Sequence, residues 1–240
     1  MRKHLFHSVL AVAIVVAGHV SRAAADPIII GSAGTAGTAD VFPFGAPFGH
    51  VSTYFGEYQQ VYLSSKFGGP GLIDQVAFES AAESSGHAVS DTFTLSLGTT
   101  SASPDRPGTS YPANRGPNFT SVFAGTVSAT LAGGAGFDFV INLSSPFLYD
   151  PSQGNLLLDV NLTHSAPGPF SPFEAGSSPD TGELFNVGGT GDIRAAPDFG
   201  LLTRFDVAPA ATPEPATLAL LGLGLGASGL IARRRGQART

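Results

Sequence analysis

The chain has 240 residues, a net charge of −6 and no cysteine. This length predicts one ordinary domain, and without disulfides or thiolate chemistry a hydrophobic core must hold the fold together. Between Asp26 and Pro215 lie all 18 acidic residues but only five basic ones, a balance of −13. So acidic a segment repels nucleic acid and anionic lipid, which excludes both as partners of the body.

The N-terminus is typical of a secretory signal peptide. Arg2 and Lys3 supply the positive charge, residues 9–17 (VLAVAIVVA) supply a short apolar run, and three alanines end at Ala25. The apolar run is too short to span a membrane comfortably. We predict that residues 1–25 are a signal peptide cleaved after Ala25, and that the protein leaves the cytoplasm through Sec-type export machinery.

The body is predicted to be all-β. After an irregular lead-in over residues 26–49, apolar and polar residues alternate with a period of two, which indicates strands. The strand candidates are residues 57–64, 72–80, 91–99, 121–131, 137–145, 155–163 and 201–207. We therefore expect residues 26–207 to form an antiparallel β-sandwich or jelly roll, with one solvated face per sheet.

Two stretches rich in Pro, Gly and Ser interrupt the alternation, at Thr99–Asn118 and Ser165–Glu183. We interpret them as solvated loops, the part of a sandwich where binding surfaces usually lie. The turn from Asp150 to Asn155 carries oxygen ligands that Ca²⁺ accepts, but a structural turn is the favoured interpretation.

Signals for catalysis are weak. The sequence has no GxSxG motif and no paired-histidine metal motif. Its many carboxylates could supply the two acids of a glycosidase, but those of any acidic protein could do the same, so they are not evidence for this activity. We predict a protein that is not an enzyme and has no catalytic residues, cofactor or bound metal.

The C-terminal segment, residues 208–240, combines three features. Pro213, Glu214 and Pro215 form a stiff tripeptide, residues 216–232 form an uncharged run near the lower length limit of a membrane helix, and three arginines follow. The arginines are Arg233, Arg234 and Arg235. The positive-inside rule holds such a cluster in the cytoplasm, so the tripeptide would lie at the outer surface of the membrane.

This tail resembles a PEP-CTERM sorting signal, in which Pro-Glu-Pro, a short apolar helix and an arginine cluster occur in the same order. Three body stretches are also similar to ectodomains of that family with no established activity: YQQVYLSSKFGG, FDFVINLSSPFLYDPSQGNLLLDV and FGLLTRFDV. The resemblance implies a transient membrane anchor, a membrane-embedded exosortase as processing enzyme, and a Gram-negative host that makes exopolysaccharide or biofilm.

Two functions follow as hypotheses. The first is a non-enzymatic surface or extracellular-matrix protein of the cell envelope. The alternative is a carbohydrate-binding module associated with exopolysaccharide, a candidate partner in either case. Without tryptophan, its sugar-stacking residues would be the tyrosines, namely Tyr54, Tyr58, Tyr62, Tyr111 and Tyr149.

Overall fold

The computed structural model describes residues 26–34, 39–44, 56–187 and 192–210. The predicted signal peptide with its cleavage point at Ala25, the candidate Tyr54, and the tail from residue 211 onward lie outside the described residues. The predicted tripeptide, apolar helix and arginine cluster belong to that tail. Within the described ranges, no helix has the length and hydropathy that a membrane span requires.

The described residues form twelve strands, every pairing of which is antiparallel. The strands are β1 (Asp26–Ile30), β2 (Glu57–Tyr62), β3 (Gly71–Glu79), β4 (Ala88–Thr100), β5 (Thr120–Thr130), β6 (Phe137–Tyr149), β7 (Asn155–Ser165), β8 (Ala175–Ser177), β9 (Thr181–Val187), β10 (Asp192–Ala196), β11 (Phe199–Leu201) and β12 (Thr203–Pro209). Among the described residues the one α-helix is α1 (Tyr111–Asn114), which has a single turn, and 3-10 turns cover Ser64–Lys66, Ala82–Ser84 and Pro151–Gln153.

Two sheets carry the fold. The smaller has the strand order β1-β12-β3-β6, and the larger has the order β10-β9-β2-β7-β4-β5. Strands β8 and β11 form a separate pair. Apolar side chains from both sheets form one buried cluster. For example, the rings of Tyr62 in the larger sheet and Phe205 in the smaller sheet pack edge-on, with their centroids 4.9 Å apart. The prediction of an all-β antiparallel sandwich is confirmed.

The alternating segments place their apolar residues as predicted. Phe93, Leu95 and Leu97 of β4 are all buried, as are the alternate residues of β7 from Leu156 to Leu162. Phe137 is an exception, because the register of β3 with β6 shifts at its position and its ring lies under the guanidinium of Arg204, 5.5 Å away.

The lead-in is more ordered than predicted. Asp26–Ile30 pairs with β12 as an edge strand, which three consecutive β-branched isoleucines favour although they show no alternation. Phe44 is 2 % exposed and lies between the sheets, with its ring 4.7 Å from that of Phe139 and 5.0 Å from that of Phe93. The expectation of an irregular lead-in is therefore wrong at Asp26–Ile30, whereas residues 42–44 form a turn that brings Phe44 into the core.

The expectation of one solvated face per sheet is wrong in the middle of the larger sheet. Gln59, Leu157, Asp159 and Leu184 belong to its outer face and are at most 3 % exposed. The first of the two predicted loops, Thr99–Asn118, covers these side chains. Its first two residues end β4, and the residues that follow, including α1, pack over β2, β7 and β9. The second stretch contains β8 and the start of β9.

Candidate functional site

A groove opens on the larger sheet where β2 begins. Its lining includes Glu57, Tyr111, Asn161, Asn186 and Ile193. Asn161 is exposed, Ile193 is 37 % exposed, and the buried Oδ1 of Asn186 accepts no hydrogen bond from the described residues. The groove therefore combines a carboxylate, two amides and an apolar side chain.

Two carboxylates and one arginine meet beside this groove. The Nη2 of Arg115 lies 2.5 Å from Oε1 of Glu57 and 3.1 Å from Oδ2 of Asp159. The same oxygen of Asp159 accepts hydrogen bonds from Nε of Arg115 at 3.1 Å and from Nε2 of Gln59 at 2.8 Å. Two residues thus donate to Oδ2 of Asp159, and the side chain of Asp159 is only 4 % exposed.

The covering helix α1 is tied to the sheet by hydrogen bonds on its other side. The hydroxyl of Tyr111 donates to the carbonyl of Glu57 at 2.6 Å, and Nδ2 of Asn114 donates to Oε1 of Gln59 at 2.9 Å. Gln59 in turn donates to the carbonyl of Tyr111 at 3.1 Å. Buried polar groups are costly unless paired, and here each of them has a partner.

The proton affinity of this cluster is unusual. The pKa of Glu57 is raised to about 7, first by partial burial and then by the neighbouring negative charge of Asp159, while Arg115 partly offsets both. At neutral pH Glu57 is therefore protonated in about half of the molecules, which lessens the repulsion between the two adjacent carboxyl groups.

Sequence reasoning missed this cluster. Glu57, Arg115 and Asp159 come from three separate segments, and only the fold brings them together. The one local signal is Asp159, a charge within the otherwise apolar run Leu156–Val160. A charged residue at that position indicates either a turn or a buried partner, and the sequence does not name the partner.

The tyrosines proposed for sugar stacking do not form a surface. Tyr58 and Tyr62 are fully buried, Tyr149 is 1 % exposed and Tyr111 is 6 % exposed. These four tyrosines are therefore excluded as sugar-stacking residues, and they occupy the core, where tyrosines of alternating strands are more often found. Period-two alternation places Tyr58 and Tyr62 on the same face, but that face is the interior of the sandwich.

Tyr58 belongs to a buried polar cluster in that interior. Its hydroxyl lies 2.5 Å from Oε1 of Gln60 and 2.9 Å from Oε2 of Glu183. Gln60 exchanges two hydrogen bonds of 2.9 Å with the backbone of Leu201 and so joins the larger sheet to β11. Burial, and then the nearby Asp40, raise the pKa of Glu183 well above its ordinary value. Tyr58, Gln60 and Glu183 are at most 1 % exposed, so we interpret this cluster as a structural connection.

The turn from Asp150 to Asn155 has its own internal partners. Oδ1 of Asp150 accepts hydrogen bonds from the backbone nitrogen of Ser152 at 3.0 Å and from its hydroxyl at 2.8 Å. These bonds lower the pKa of Asp150. Asn155 accepts from the nitrogen of Ser64 and donates to the carbonyl of Ala102, so it holds neighbouring segments instead. Among the described residues, no group of three metal-ligating side chains occurs.

The body is thus an antiparallel β-sandwich with a polar groove where β2 begins, and the comparisons with known proteins identify the segment that follows it. Residues 211–235 match the PEP-CTERM protein-sorting motif. The chain therefore carries a PEP-CTERM sorting motif, and this motif implies an exported protein that an exosortase sorts and processes at the cell envelope. No curated protein and no solved structure matches the chain significantly.

Proposed function

We propose that the protein is a non-enzymatic component of the cell surface or extracellular matrix, made by a Gram-negative cell that produces exopolysaccharide or biofilm. The observation that carries this proposal is the position of the sorting motif. Strand β12 ends at Pro209 and the motif match begins at residue 211, so the whole sandwich lies on one side of the processed segment. Processing there would display or release the body intact.

The geometry of the carboxylates supports the absence of catalysis. In a glycosidase the two carboxyl groups stand about 5 Å or more apart so that the sugar fits between them. Glu57 and Asp159 instead both contact Nη2 of Arg115, at 2.5 Å and 3.1 Å, and the side chain of Asp159 is only 4 % exposed. The pair therefore serves to fasten the covering loop to the sheet.

A screen of the purified body against polysaccharides and esters tests this part of the proposal. We expect no turnover above that of a Glu57→Gln variant. Turnover by the wild-type protein that this substitution removes would make the groove an active site and overturn the non-enzymatic assignment.

The alternative, binding of exopolysaccharide, has one observation in its favour. The groove presents the carboxylate of Glu57 and the amides of Asn161 and Asn186, groups that hydrogen-bond sugar hydroxyls, next to the apolar Ile193. A glycan array decides between the two functions. Binding that Asn161→Ala and Ile193→Ala both weaken would select the binding module, while no binding by wild type leaves the matrix role.

A further inference from the structure

The chain leaves the folded body at one end of the sandwich. Pro209 pairs with Gly71, which pairs with Tyr149, and the nitrogen of Ala210 donates to the carbonyl of Pro70 at 3.3 Å. The 3-10 turn Pro151–Gln153 directly follows Tyr149 in the chain. We call this end, formed by Pro70, Tyr149–Gln153 and Pro209–Ala210, the exit pole.

The tether between the exit pole and the predicted membrane helix is short. Two residues lie between Ala210 and Pro213, so their Cα atoms are at most about 11 Å apart, and five lie between Ala210 and residue 216, whose Cα atoms are at most about 22 Å apart. The lipid headgroup layer alone takes up roughly 5–7 Å of that reach. Since β6, with 13 residues, is about 40 Å long, the body is larger than its tether and is restricted in its rotation.

The N-terminal end of the body lies at the same place. Asp26, which would be the first residue after cleavage at Ala25, pairs with Val207, two residues before Pro209. A signal peptide and a sorting helix attached at these points would therefore hold the body to the membrane from adjacent strands. Both attachments therefore favour an orientation of the body in which the exit pole faces the membrane.

One strongly exposed apolar side chain, that of Leu148, lies beside the exit pole. Ala208, Leu72 and Leu148 form one row across β12, β3 and β6, immediately next to the terminal row of the sheet. Leu148 is 58 % exposed, and no other large apolar side chain of the described residues is more exposed. An exposed leucine is ordinary on its own, but this one lies where the chain must enter a bilayer.

We propose that the exit pole is the membrane-facing surface of the anchored protein, with Leu148 against the lipid headgroup region, and that the groove at Glu57 and Ile193 faces away. The groove lies at the opposite end of β2. Tyr62, the last residue of β2, pairs with Leu156, which follows the exit pole closely in the chain, whereas Glu57 in the groove is the first residue of β2. The proposal rests on the tail acting as a membrane helix. Resistance of the full chain to carbonate extraction checks that condition separately.

The absence of cysteine allows a direct test with single reporters. The full chain is reconstituted in phosphatidylcholine vesicles, without processing enzyme, as three variants that carry an environment-sensitive fluorophore on one new cysteine. Leu148→Cys and Gln153→Cys report on the exit pole, and Ile193→Cys reports on the groove. Gln153 is exposed, so its variant reports even if Leu148→Cys folds poorly.

With spin-labelled lipid as quencher, we expect most of the fluorescence to be lost at positions 148 and 153 and little at position 193. Equal quenching at the three positions would mean that the body turns freely on its tether. Stronger quenching at position 193 would mean that the groove faces the lipid. Either result would overturn the proposal.

Discussion

Asp26 pairs with Val207, so the first strand of the body lies beside the last one. Strand β12 is not at the edge of its sheet, because it lies between β1 and β3. Among the described residues the N-terminal strand therefore pairs only with a strand near the end of the body, and the smaller sheet is incomplete without it.

This arrangement predicts the effect of truncation. A chain that ends at Leu202 lacks β12, which removes the partner of β1 and one neighbour of β3, and we expect no cooperative unfolding transition. A chain that ends at Ala210 keeps every strand, and we expect it to unfold at the same temperature as the body of the full chain. Circular dichroism during heating measures both. A cooperative transition in the shorter chain would contradict the role given to β12.

The ion cluster beside the groove predicts a second effect. Arg115→Met leaves Glu57 and Asp159 adjacent without their cation, and we expect a loss of about 1–3 kcal/mol in the free energy of unfolding at pH 8. The loss should shrink at pH 5, where Glu57 is protonated. Urea denaturation at the two pH values gives the difference.

The matched control is Arg106→Met. The side chain of Arg106 is 88 % exposed, and its only ion pair is at 3.9 Å with an exposed aspartate, so we expect a change below about 0.5 kcal/mol. If the two substitutions cost the same, the cluster does not fasten the covering loop.

The buried Asp91 predicts how stability depends on pH. Asp91 is fully buried, and neither of its carboxylate oxygens accepts a well-formed hydrogen bond from the described residues. Burial raises the pKa of Asp91 from 3.8 to about 6, and an interaction with Ser165 partly offsets this rise. A carboxyl group whose pKa is raised in the folded state binds more protons there. Its contribution is therefore favourable at low pH and is lost as the pH rises from about 4 through 6.

Asp91→Asn removes the ionisation while keeping the shape. We expect it to stabilise the body by about 1–3 kcal/mol at pH 7.5 and to have no such effect at pH 4.5. Asp105→Asn, at an exposed position, serves as the control for the loss of one negative charge. A gain of equal size at both pH values would show that the charge of Asp91 is not the cause.

The covering loop predicts the effect of a single methyl group. A Cβ on Gly182 of β9 would overlap the carbonyl oxygen of Pro104, whereas a Cβ on Gly68 would meet nothing within 4 Å. We expect Gly182→Ala to cost about 1–3 kcal/mol by pushing the loop off the sheet, and Gly68→Ala to change little. Faster amide exchange at residues 103–106 in the first variant would locate the damage.

The extent to which the sequence predicts this fold depends on the kind of signal. Strands such as β4 and β7 are visible because a core on one side imposes period-two alternation. Strand β1 was missed because three isoleucines in succession carry no period. The covering loop was missed because burial of Gln59 and Asp159 arises from contacts with residues about fifty positions away, which leave no local pattern.

The sorting tail and the groove differ in how far the sequence predicts them. The sorting tail is contiguous, so its order of parts is readable in the sequence, and the motif match at residues 211–235 agrees with it. The groove is lined by residues of β2, α1, β7, β9 and β10, so no single stretch of the sequence predicts it. The roles of Pro213, Glu214 and Pro215 individually, and of the three arginines, stay predictions.

The central claim is that an exosortase processes this chain at its tail, with Glu214 as part of the recognised element. The most direct measurement is mass spectrometry of the C-terminus of the mature protein, from cells that contain an exosortase, for wild type and Glu214→Ala. We predict that mature wild-type protein lacks the terminal Arg239 and Thr240, while Glu214→Ala is exported but retains them in a membrane-bound form. Recovery of the intact terminus from wild-type cells would contradict the claim and leave the tail as a plain membrane anchor.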